Sequence, residues 1–381
     1  MLPGPDSPLP DSVPQIPFEE LWNSDHMRKL RLSFLRGDAP PECKACFLDE
    51  SEGTQSTRQI MNQVHAQGFE RVQATGPDGS ISADGVLSLD LRLSNLCNFR
   101  CRSCGPHNST AWTSDGTELG MKVGKSELKL RQANRHLWPW VESRLPFVER
   151  IHFAGGEPLI LADHYEIIDR LIALGRTEIA LSYNTNLSVT RFKGRDVTTL
   201  WERFRKLEVF VSLDGVGAAG EILRKGLDWP KTERRFLALR DRLPHARFKL
   251  FITVSAMNAF HLTQAFDRLI SNGMIQRPDD FILNFADDPM YISLEILNAE
   301  EQRLLRSRNA EFLEGLRGRV TQELFAKVES SLAKVLLRLP SELTPVHRRG
   351  FRSYMMRLDR LRRESFIRAF PEHLGILYDE R

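Results

Sequence analysis

Leu87-Ser88-Leu89-Asp90-Leu91-Arg92-Leu93 places leucine at every second position and runs straight into Ser94-Asn95-Leu96-Cys97-Asn98-Phe99-Arg100-Cys101-Arg102-Ser103-Cys104. Strict alternation is the period of a strand with one covered face. The three thiols therefore sit on the loop that leaves a strand. Further strand-like runs follow at 150–154, 178–183, 208–213, 247–254 and 280–285, with helix-like segments at 163–174, 199–206, 231–240 and 260–271 between most of them. The first gap is longer and holds the cysteine loop and a helix before Leu145. Strand–helix alternation predicts parallel strands joined by right-handed crossovers. The pattern predicts an α/β fold, a partial (β/α)6 TIM-like barrel over 87–286, with a doubly wound sheet as its other solution. In a parallel barrel, active sites assemble on the loops at the carboxyl ends of the strands.

Outside that core the composition changes. Residues 1–17 are rich in proline and predict a disordered leader. Residues 18–86 predict a helical, cysteine-bearing module. Leu21, Trp22, Met27, Leu30 and Phe34 fall near a helical period over 18–36, and Gly37 with Pro40-Pro41 stops that helix. Cys43-x-x-Cys46 follows in a loop, then a helix over 55–67 and a Gly/Asp turn over 75–85. Residues 287–381 predict a helical extension, in which 301–381 hold 17 Lys+Arg against 11 Asp+Glu. Such a surplus reads first as a solvated helical face.

The 381 residues are 41% hydrophobic and 27% charged, which excludes a collagenous, coiled-coil or wholly disordered chain. A net charge of +3 carries no signature of a nucleic-acid or membrane partner. No apolar run approaches the ~18 residues of a membrane span. Met1-Leu2-Pro3-Gly4-Pro5-Asp6 has neither a basic nor an apolar signal region, so the expected location is the cytoplasm. All five cysteines lie in two tight clusters, which in a reducing compartment points to metal rather than disulfides.

Three thiolates can hold one corner of an iron–sulfur cube and leave one iron open to a ligand. Zinc is the alternative, with His107 as fourth ligand. The other strand ends add small polar groups at equivalent places: Ala154-Gly155-Gly156-Glu157-Pro158, Asn184-Thr185-Asn186, Ser212-Leu213-Asp214-Gly215 and Ser255-Ala256-Met257-Asn258. Paired glycines let backbone approach a ligand, and Glu157 can accept from an ammonium group.

With C-x-x-x-C-x-x-C after the first strand and Gly-Gly-Glu-Pro after the second, the chain resembles the radical S-adenosylmethionine (SAM) superfamily over 87–286. That resemblance implies one 4Fe–4S cluster on Cys97, Cys101 and Cys104, with SAM chelating the open iron. It implies SAM contacts at Gly155, Gly156, Glu157, Asn184, Ser212, Asp214 and Arg224. It implies reductive cleavage of SAM and hydrogen abstraction from a C–H bond of a substrate, with a peptide or natural-product precursor as a candidate. A flavodoxin or ferredoxin would be the electron donor. Trp22-Asn23-Ser24, Arg31, Gly37, Cys43, Cys46, Glu50, Gly53, Ser56, Arg58, Arg363-Glu364-Ser365-Phe366 and Phe370-Pro371-Glu372 extend the likeness to twitch-domain radical SAM proteins.

The chain departs from that pattern twice. Ser103 stands where an aromatic residue usually precedes the last loop cysteine, leaving Phe99 and Trp112 as the nearby aromatics for an adenine. No cysteine precedes Cys43, and two thiolates are a poor ligand set, so no auxiliary cluster is expected at Cys43 and Cys46. The rival reading is a metal-stabilised binding module, with structural zinc or iron–sulfur, that binds an acidic partner through its basic C-terminal helices.

Overall fold

The computed structural model describes residues 15–51, 56–124, 127–286 and 288–378. Most of the expected leader, and Gly53, lie outside them. The described residues form two compact units, one from those between 15 and 87 together with 131–148, the other from those between 88 and 130 and between 149 and 378.

The larger unit is built on a six-stranded sheet: β1 (Ser88–Arg92), β2 (Arg150–Ala154), β3 (Ala180–Thr185), β4 (Lys206–Leu213), β5 (Ala246–Val254) and β6 (Phe281–Phe285). The strands stand side by side in chain order and every pair is parallel. Sequential order has no switch point, which a doubly wound sheet would require. The winding is that of an open barrel with β1 and β6 as its edges.

One face of this sheet is the apolar core. Leu89, Leu91, Ile151, Phe153, Leu181, Tyr183, Val209, Val211, Leu250 and Ile252 are all buried. The crossover helices Ala162–Ala173, Val197–Trp201 and Trp229–Arg242 cover that face. Phe153 meets the His164 ring at 4.9 Å, Tyr183 meets Trp201 at 5.2 Å and Phe248 meets Phe236 at 6.0 Å. Right-handed crossovers place successive helices on one side, so the other face is left to side chains alone.

The C-terminal helices belong to this larger unit. Several of their basic residues are consumed inside it. Arg348 forks onto Glu301 at 2.7 and 2.8 Å, Arg308 meets Glu372 at 2.6 Å and Arg362 meets Asp115 at 2.8 Å.

In the smaller unit the expected helix over 18–36 is broken into Phe18–Trp22 and Asp25–Leu35. Asn23 causes the break. Its side chain donates to the Ile81 carbonyl and accepts from the Ile81 amide, both at 3.0 Å, while Arg31 reaches the Trp22 carbonyl. The second expected helix shortens to Thr57–Val64, started by a Ser56/Gln59 capping box. Cys43 and Cys46, expected in a loop, are free and half-buried, Cys43 closing the 3-10 turn Pro41–Cys43 and Cys46 lying inside helix Lys44–Ser51, and both lie within electrostatic range of Arg58.

Candidate active site at the cysteine loop

The loop after β1 is fixed by backbone. The Gly156 amide donates to the Ser94 carbonyl at 2.9 Å and the Glu157 amide to the Leu96 carbonyl at 2.8 Å. A Cβ on Gly156 would lie 2.1 Å from the Leu96 oxygen, and Gly155 has a φ of +104°. The glycine pair is thus what lets the turn after β2 lie against the cysteine loop.

Glu157 is fully buried and its carboxylate is already engaged. It accepts from Thr185 Oγ1 at 2.6 Å, the Asn186 amide at 2.7 Å and the Leu159 amide at 3.1 Å. Burial raises its pKa, and these donors act against the rise. Its side chain ties the end of β2 to the end of β3. Asn186, so placed, donates to Asn98 Oδ1 at 3.0 Å and lies 3.9 Å from the Cys97 sulfur.

The thiol loop next crosses to the element after β4. Arg100-Cys101 forms a two-residue antiparallel ladder with Arg224-Lys225, so Cys101 stands opposite Arg224. The arginine reaches Asp214 Oδ1 at 3.2 Å, and Ser103 donates to Asp214 Oδ2 at 3.2 Å. Arg224 is buried and its Nε has no hydrogen-bond partner. Burial works against its charge, but Cys101, Asp214, Cys104 and Cys97 outweigh that and keep it protonated.

Among the thiols, Cys101 hydrogen-bonds to Cys104, which raises the pKa of Cys101 and lowers that of Cys104. Burial pushes Cys97 up to about 11. The structure therefore gathers Cys97, Cys101, Cys104, Asp214 and Arg224 into one electrostatic group. Ser212 and Asn184 lie half-buried on β4 and β3, two residues before Asp214 and Asn186 respectively.

No three His, Cys, Asp or Glu side chains among the described residues converge as a single metal ion requires, so His107 completes no such set here. The donors do suit a larger anionic group. Three thiols from one loop lie within electrostatic range of a buried cation that keeps an unused N–H, and a cluster of sulfide and thiolate would meet that charge.

Phe99 and Trp112 are both buried. The Phe99 ring packs on Gly226, where a Cβ would lie 2.6 Å from it, and the Trp112 indole donates to the Cys101 carbonyl at 2.9 Å. Both aromatics support the loop from behind and are spent on it.

The face of the sheet away from the crossover helices carries a polar row. Register aligns Asp90, His152, Ser182 and Glu208 across β1 to β4. His152 Nδ1 pairs with Ser182 Oγ at 2.9 Å, and Lys249 on β5 pairs with Glu208 at 3.1 Å. Asp90 is matched by Arg92 at 3.5 Å. Phe210 lies beside His152 and Phe251. Parallel strands are ordinarily apolar on both faces, so this alternation sets the face apart from the apolar one. The signal was present in the sequence as period-two patterning in strands that the crossovers make parallel.

No family model and no curated protein matches the chain. Solved structures do. The anSMEcpe structure with bound AdoMet aligns with 18% identity and a TM-score of 0.43, covering 60% of this chain and 61% of that one. Streptococcus suis SuiB bound to the precursor peptide SuiA aligns with 13% identity and a TM-score of 0.39, over 69% and 53%. SuiB bound to S-adenosylmethionine gives 12%, 0.40, 80% and 64%. The chain spans less than two thirds of each of these proteins.

Proposed function

We propose that the chain is a radical SAM enzyme acting on a C–H bond of a polar substrate, with a peptide as the candidate class. The observation that carries this is the gathering of Cys97, Cys101 and Cys104 around buried Arg224 at the carboxyl ends of a sequentially ordered parallel sheet. Cys97, Cys101 and Cys104 would hold the 4Fe–4S cluster. When bound, that cluster supplies the electron that cleaves the SAM carbon–sulfur bond and so delivers a hydrogen-abstracting radical.

The chain's own residues orient and exclude. Arg224, pinned by Asp214, offers its unused Nε to a carboxylate, the geometry a guanidinium fork suits. Ser212 and Asn184, near the ends of β4 and β3, would offer hydroxyl and amide donors to a ribose. The turn Gly155-Gly156-Glu157 offers backbone to an ammonium group, with its own carboxylate reserved for holding the turn rigid. His152, Ser182, Glu208 and Lys249 present the substrate with a polar face whose charges are already paired. That face suits uncharged hydrogen-bonding groups.

The test is anaerobic reconstitution of Cys101→Ala beside the wild type. The wild type is expected to show iron–sulfur absorbance and to form deoxyadenosine with SAM and dithionite, and the variant to lose both. Equal iron content and SAM cleavage in the two proteins would remove the proposal. A colourless, zinc-loaded wild type inert to SAM would instead favour the metal-stabilised binding module. Arg224→Ala is expected to raise the KM for SAM more than it lowers iron content.

A further inference from the structure

Arg102, between Cys101 and Cys104, has a fully buried side chain. A buried guanidinium is costly unless its donors are met. Its Nη2 donates to Asp359 at 2.5 Å and to Glu364 at 2.9 Å, its Nε donates to the Ile222 carbonyl at 3.2 Å, and its Nη1 lies 3.5 Å from the Met355 sulfur. Its backbone is held as well. The amide donates to the Leu223 carbonyl at 2.6 Å, and the carbonyl accepts from the Tyr354 hydroxyl at 2.8 Å. Glu364 also accepts from Lys225 at 2.5 Å, the residue facing Arg100 in the short ladder.

A second ion pair brackets Cys101 on its other side. Asp115 accepts from Arg100 at 2.9 Å and from Arg362 at 2.8 Å. The Arg362 guanidinium lies 4.6 Å over the Trp112 ring, whose indole holds the Cys101 carbonyl. Tyr354, Met355, Asp359 and Arg362 all belong to the helix Pro345–Arg362, so a segment more than two hundred residues downstream grips the loop.

We propose that Arg102, with Asp359 and Glu364, is a positioning group that sets Cys101 and Cys104 in place and makes this C-terminal helix a working part of the thiol site. What the thiols hold rests on the radical SAM reading; that they are held this way does not. The charges balance, Arg102 and Lys225 against Asp359 and Glu364. Displacing Arg102 removes the guanidinium from Asp359 and leaves Glu364 to Lys225 alone, so the loop resists movement. The balance also matters to a redox centre, whose potential follows the net charge around it.

The test uses the full chain. In the apoprotein, Asp359→Asn, Glu364→Gln and Arg102→Lys are expected to speed alkylation of Cys104 by iodoacetamide, read by peptide-resolved mass spectrometry, about tenfold, because local opening of the loop becomes easier. Far-UV circular dichroism reports whether each variant is folded, and Glu364→Gln is the mildest. In reconstituted protein the two acid variants leave a positive charge uncompensated, so the cluster's midpoint potential rises. Arg102→Met leaves negative charge and lowers it. Purely structural loosening would not produce shifts of opposite sign. Alkylation within about twofold of wild type in folded acid variants, where loop opening would be unchanged, overturns the proposal. Potentials moving in the same direction in all variants also overturn it. Should the wild type take up no iron, the radical SAM reading fails while the alkylation result still decides the latch.

Discussion

Gly156 has a carbonyl as its nearest neighbour, because a Cβ there would meet Leu96 O at 2.1 Å and Leu96 C at 2.6 Å. Backbone on both sides leaves nothing flexible to give way. Gly156→Ala is therefore expected to cost about 3 kcal/mol of stability, at the upper end of overpacking penalties, measured by urea unfolding. A variant within about 0.5 kcal/mol of wild type, the range of neutral surface changes, would show that the turn relaxes freely. The Gly-Gly pair was visible in the sequence, but its partner was not. The contact joins two loops some sixty positions apart, and only the parallel pairing of β1 with β2 brings them together. Ser103 has a similar history. Its departure from the pattern that the cysteine loop resembles was legible, while its bond to Asp214 depended on how the thiol loop crosses to the end of β4.

At the scale of elements, the six strands and the four crossover helices after β2 were legible because period two and period 3.6 are properties of single segments. The break at Asn23 was not, since it answers to a backbone pair at Ile81. The helix Ala162–Ala173 illustrates what burial adds. His164 lies on its covered side, accepts or donates at Tyr183 OH over 3.1 Å, and burial lowers its pKa from 6.5 to about 3. Between those values the unfolded chain binds a proton that the native chain refuses. Stability is therefore full above pH 6.5 and falls as pH drops toward 3, by at most about 1.4 kcal/mol per pH unit for this group. Buried His373, also shifted down by burial, adds in the same direction. His164→Phe, which takes away one partner of the Tyr183 hydroxyl, is expected to be less stable at pH 7, yet to lose less stability than wild type between pH 7 and pH 5. Parallel losses in urea unfolding at the two pH values would exclude His164 as a source of acid sensitivity.

For the molecule as a whole, the sheet divides its labour by face. One face is apolar, covered by helices, and supplies the core. The other spends strand positions on His152, Ser182, Glu208 and Lys249, polar groups paired with one another. Residues kept at a cost in stability are expected where function needs them. Replacing His152 and Ser182 together by Leu and Val removes both partners of one hydrogen bond, so no buried group is orphaned. Valine also favours the strand. The double variant is expected to match or exceed wild-type stability by up to about 1 kcal/mol, the usual yield of such a change. On the proposed radical SAM reading, the thiol loop, Asp214 and Arg224 being untouched, reconstituted protein should still form deoxyadenosine from SAM in the absence of substrate. Conversion of the true substrate should be lost. If instead the variant unfolds at lower temperature and fails to take up iron, the polar face serves the fold, and the division between a structural and a substrate face does not hold.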